Sequence, residues 1–106
     1  MTKVQIGSTF LQAIGHSGYA ERGKDLVCAG VSTLVYMVIN AVSEMDADNK
    51  LICPMQVSIV DGGAGVSAKP KPEYRAELSQ IMHIAEIGFS CLADKYPEYV
   101  SVIPQG

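Results

Sequence analysis

The sequence is poor in most of the features that announce a function. Its 106 residues carry 8 Lys and Arg against 11 Asp and Glu, a formal net charge of -3, so it lacks the basic excess that holds nucleic acid phosphates. Direct nucleic acid binding is not expected, and a partner drawn from a nucleoprotein would have to be recognised by local contacts. Cysteine is scarce and unpaired: Cys28, Cys53 and Cys91 are an odd number at spacings of 25 and 38 residues. That fits neither a disulfide framework nor a paired-Cys metal site, and the expected compartment is reducing. No two of His16, Cys28, Cys53, His83 and Cys91 share a chelating spacing, so neither a metal nor another cofactor is expected. Gly62-Gly63-Ala64-Gly65 has no Lys-Ser or Lys-Thr after it, as a phosphate-binding loop requires. There is no internal repeat, linker or low-complexity segment.

Long apolar runs are missing too. The first ten residues, MTKVQIGSTF, hold one Lys and then alternate, without the continuous apolar stretch of a signal peptide, and a cytoplasmic protein is expected. Leu26 to Val42 comes nearest to a membrane span, but it has 17 residues and includes Ser32, Thr33, Tyr36 and Asn40. A span needs about 20 predominantly apolar residues, so a buried helix and no membrane partner are expected.

What is present is pattern. A chain of this length, 48% hydrophobic, makes one domain, residues 1–106, around one core. Alternation over Lys3 to Ile6, turn residues Gly7-Ser8-Thr9 and the run Phe10 to Ile14 predict a β-hairpin whose second strand ends next to His16. Ser17 to Lys24 reads as a polar surface loop, and Asp25 as the N-cap of a helix over Leu26 to Val42 that places Cys28 in its first turn. That helix is apolar on nearly every face. One sheet of a small domain does not cover it, so a homodimer is expected. Ser43 to Lys50 reads as a polar connection, Leu51 to Val60 as a strand, Asp61-Gly62-Gly63 as a turn and Ala64 to Ser67 as a returning strand. After Lys69 to Pro72, a helix begins at about Pro72 or Glu73 and runs to Lys95. Its apolar stripe is Leu78, Ile81, Met82, Ala85, Phe89 and Leu92, with Glu77, Gln80, His83 and Glu86 off it. Gly88 within it predicts close backbone approach. Tyr99 to Ile103 forms a last, edge strand. The fold class is α+β: a small mixed or antiparallel sheet with two α-helices packed on one face, homodimeric.

Two features carry chemistry. A Cys at a helix start gains thiolate character from the free N–H groups and the macrodipole. His16, twelve residues earlier, can fold back as its base, and N–H groups near Gly30 or the helix start can hold an oxyanion. Ser32, one turn past Cys28, can donate to the thiolate or bond back to its own helix. The same residues also admit plainer roles, since a Cys on an apolar helix is often a core residue and a His beside Gly a turn residue. Cys53 and Cys91 read as structural, and His83 as solvent-facing or interfacial.

Gly15-His16-Ser17-Gly18-Tyr19-Ala20, followed by Gly23-Lys24-Asp25-Leu26-Val27-Cys28-Ala29-Gly30-Val31-Ser32, resembles the ribosomal-processing cysteine protease family. The order of elements fits the family along the whole chain. The resemblance implies a homodimeric α+β cysteine endopeptidase with Cys28 as nucleophile, His16 as general base, and Asp25 and Ser32 in support. Gly15, Ser17, Gly18, Tyr19 and Gly23 would belong to a loop that orders over the bound peptide. The implied substrate is the N-terminal peptide of a ribosomal protein precursor. A short extension would be cut off after Phe to leave Ala, because it would intrude near the peptidyl-transferase centre. A non-catalytic dimeric peptide-binding module and a redox-sensing thiol are the other readings of the same residues.

Overall fold

The computed structural model describes residues 1–15 and 22–105, with residues 22–25 described by their backbone alone. The N-terminal hairpin forms as the alternation predicts. β1 (Thr2–Gly7) and β2 (Phe10–Ile14) pair antiparallel, with Val4 opposite Ala13 and Ile6 opposite Leu11. These four residues are buried, while Lys3, Gln5 and Gln12 face away, the period of two expected when one sheet face is covered.

The first helix, α1 (Arg22–Ala47), is longer at both ends than its apolar run. It takes in Arg22 to Asp25, so Gly23 lies in its first turn rather than in a loop, and Asp25 is inside the helix and does not cap it. Arg and Lys are good helix formers and extend the element backwards. At the other end Val42 and Met45 continue the buried stripe of Val27, Val31, Val35 and Val38. The polar Ser43 and Glu44 are therefore the outward face of the same helix and not a connection. From Leu26 to Ala47 the helix has 22 residues and is long and apolar enough to cross a membrane, so the length argument against a span does not hold. Its valine stripe nonetheless lies in the core with the sheet and the second helix.

The expected strand Leu51 to Val60 is cut short. Leu51 makes only an isolated bridge to Pro70, the chain bends at Ile52 and Cys53, and β3 is Gln56–Val60. Pro54 has no N–H for a ladder, and the chain is instead fastened where the Met55 N–H donates to Asp46 Oδ2 at 3.2 Å. β3 turns through Asp61 and Gly62, whose φ of 78° suits a residue without a side chain, into β4 (Gly63–Ser67). One 3₁₀ turn, Pro72–Tyr74, precedes the second helix, α2 (Arg75–Lys95). The last strand, β5, is Val100–Gln105 and takes in Pro104.

The sheet runs β3-β4-β2-β1-β5. Every pairing is antiparallel except β1 with β5, which is parallel, so the sheet is mixed and β5 is an edge as expected. Both helices cover the face that carries Val4, Ile6, Leu11, Ala13, Val66 and Val100. Leu78, Met82, Ala85 and Phe89 supply the buried stripe of α2. The two helices meet reciprocally: a Cβ on Gly88 would come within 2.9 Å of Leu34, and one on Gly30 within 3.2 Å of Leu92. The close approach expected at Gly88 is thus made by a leucine of the neighbouring helix.

Candidate active site

The end of β2, the turned end of the β3–β4 hairpin and one side of α1 enclose an open cleft of about 240 Å³. Cys28, Ser32 and Tyr36 line it at successive steps of four residues, one face of a helix. Opposite them stand Gly15, Ile59 and Val60, with Gly62 and Gly63 at the hairpin end. The two strand ends are tied together there, since the Gly15 N–H donates to the Gly62 carbonyl at 2.9 Å. Gly15 also abuts the chain start: a Cβ would fall 2.5 Å from Thr2 Cα and 2.6 Å from the Met1 carbonyl oxygen. Those contacts are with backbone, so only glycine lets β2 pass β1 at this point.

Cys28 is a free, half-buried thiol on the cleft wall, not a core residue. Because α1 begins at Arg22, Cys28 is its seventh residue and lies in the second turn. The unpaired N–H groups belong to the first four residues, so the macrodipole acts on this thiol from further away than a first-turn position would give. The N–H of Gly30 is engaged within the helix for the same reason and is not an oxyanion donor. Ser32 is exposed in the cleft one turn from Cys28. The back-bond to a helix carbonyl is made instead by its neighbour Thr33, whose hydroxyl donates to the Ala29 carbonyl at 2.8 Å.

His16, Ser17, Gly18 and Tyr19 lie outside the described residues, as does the side chain of Asp25. Gly15, the residue before His16, is in the cleft with Cys28. Cys53 and Cys91 are both exposed and away from the cleft, so neither is a packing residue; His83 is exposed on α2. Among the described residues no three His, Cys, Asp or Glu side chains gather as a metal site. Tyr36, Ile59 and Val60 were missed in the sequence. Tyr36 had a readable signal, its spacing of four and eight residues from Ser32 and Cys28, whereas the hairpin residues reach the cleft only through tertiary pairing.

The described residues thus place a free, half-buried thiol in an open cleft, and comparison with known proteins supplies the class. Residues 1–101 match the family model for the cysteine protease Prp. The chain belongs to that family of ribosomal-processing cysteine proteases, enzymes that hydrolyse peptide bonds. The ribosomal processing cysteine protease Prp of Mycoplasma genitalium is 29% identical over 106 residues, covering 96% of this chain and 94% of its own. In fold, the chain is similar to the essential ribosomal processing protease Prp of S. aureus in complex with a substrate peptide. That match has a TM-score of 0.76 at 18% identity and covers 99% of this chain and 100% of the other. The same S. aureus protease with a covalently linked product peptide gives a TM-score of 0.70 at 19% identity, covering 99% and 100%.

Proposed function

We propose that this protein is a Cys/His endopeptidase that removes a short N-terminal extension from a large-subunit ribosomal protein. The observation that carries the reading is the placing of Cys28 across one cleft from Gly15, because His16 follows Gly15 directly. His16 takes the Cys28 proton, and the thiolate sulfur attacks the scissile carbonyl. As the C–N bond breaks, the proton passes to the leaving amine and an acyl-enzyme remains. Water, losing a proton to His16, then cleaves the thioester and releases the extension. Ser32 supports the thiolate by donating its hydroxyl, and Asp25 acts from one turn earlier in α1. Gly15 and residues 17, 18 and 19 belong to the segment that meets the peptide, and Gly23 follows in the first turn of α1.

The peptide's aromatic residue precedes the cut and a small one follows it, Phe and Ala in the family this chain belongs to. The apolar Tyr36 and Ile59 on the cleft walls suit such a side chain. The active form is a cytoplasmic homodimer of the 1–106 domain. Supporting this are large apolar side chains left exposed on the helices, Leu26 and Met37 on α1 and Ile84 and Ile87 on α2. The decisive experiment incubates the ribosomal protein precursor of the same organism with wild type, Cys28→Ala and His16→Ala. Wild type removes the extension and neither variant does; an intact precursor, or equal cleavage by Cys28→Ala, rejects the reading.

A further inference from the structure

Among the described residues β3 is the outer strand on the cleft side of the sheet, with β4 as its neighbour on one side only. All five of its residues are exposed, and Val57, Ile59 and Val60 are open to 43%, 58% and 65%. The segment Gln56-Val57-Ser58-Ile59-Val60 holds no charge and no proline, the devices that usually blunt a free edge. The opposite edge, β5, does carry Pro104. An uncharged, β-branched, unblunted edge is a template for another strand.

The register says which atoms are on offer. Val60 stands opposite Gly63, Ser58 opposite Gly65 and Gln56 opposite Ser67. A two-residue loop is closed by a hydrogen-bonded pair, and such pairs then alternate along the ladder. Gln56, Ser58 and Val60 therefore bond to β4, while Val57 and Ile59 turn their N–H and C=O groups outward. Opposite Val66 and Ala64, these two residues project on the helix-bearing face, and Ile59 borders the cleft that contains Cys28.

Resting on the protease reading, we propose that the substrate peptide binds as a sixth strand on the outer edge of β3. Its backbone pairs with Val57 and Ile59, and the pairing delivers the scissile bond into the cleft at Cys28. The continuity of this edge with the cleft selects a peptide as occupant over a second copy of the chain. Affinity then comes from main-chain bonds that tolerate varied flanking residues, and side-chain selection is confined to the cleft.

The test measures binding, not turnover, using Cys28→Ala and an extended peptide with a central Phe-Ala bond. Methylating the peptide nitrogens one at a time should weaken binding about tenfold at every second position on one side of that bond and little in between. Saturation with the unmethylated peptide should slow hydrogen exchange at the Val57 and Ile59 amides. Val57→Pro, which deletes an outward N–H in an edge strand where proline is tolerated, should keep the thermal melt and lose affinity. A flat methylation scan overturns the proposal. So do Val57 and Ile59 amides already protected in the free protein, with protection rising with protein concentration, because a second copy then holds the edge. If wild type fails to cut a peptide that Cys28→Ala still binds in the alternating pattern, edge pairing stands and the catalytic reading falls.

Discussion

Cys28 sits in the second turn of α1 and so lies further from the free N–H groups of the helix start than a first-turn cysteine would. The proposed mechanism therefore rests the more on His16 as base. Cys28→Ala should reduce peptide cleavage by at least about 10³-fold, measured by product release, with the melt unchanged. Gly15→Ala is expected to act differently. Its new methyl would meet the backbone of Met1 and Thr2, which cannot rotate away as a side chain does, so stability should fall by about 1–3 kcal/mol in a urea titration. At the far end of the molecule Lys50 donates to both carboxylate oxygens of Glu77 at 3.0 and 3.1 Å. That bond raises the lysine pKa above its ordinary value. A group whose pKa is raised by folding lends stability below its unfolded pKa and loses it as pH climbs through the folded one. Glu77→Gln should therefore melt slightly below wild type at neutral pH, and the gap should close in strong alkali.

The elements differ in how plainly they are written. The β1–β2 hairpin and α2 were legible because their apolar residues keep a strict period, two in one and three to four in the other. The C-terminal end of α1 was not, because Ser43, Glu44 and Asp46 look like loop residues until Val42 before them and Met45 among them are seen to be buried. Cys28 is legible by residue type, whereas Tyr36 was missed although its spacing from Ser32 and Cys28 carries the signal. Ile59, Val60 and Gly62 were not legible, since their place in the cleft depends on β4 pairing with β2, and no local pattern states which strands will pair. Within α2, Phe89→Ala should cost about 3–5 kcal/mol, as the residue is fully buried in the core. Gly88→Ala should cost far less in the same titration. Its obstacle is the end of the Leu34 side chain, and the gain in helix propensity, about 1 kcal/mol, offsets the adjustment.

For the molecule as a whole, the exposed apolar side chains on both helices predict self-association. Light scattering should give twice the 11.3 kDa of the chain, with monomer appearing on dilution. The parallel pairing of β5 with β1 bears on how the molecule comes together. Thr2 stands beside Val100, and the Thr2 N–H donates to the Tyr99 carbonyl at 2.7 Å, so the sheet is completed only when a loop of nearly the whole chain closes. Contacts so distant in sequence slow folding. Thr2 borders the cleft, and its backbone is the surface against which Gly15 rests. The cleft itself needs α1 and the β3–β4 hairpin beside the end of β2, with Gly15 and Gly62 standing 47 residues apart. It is therefore expected to be complete later than the local β1–β2 hairpin: a newly made chain would hold its thiol before it holds a site.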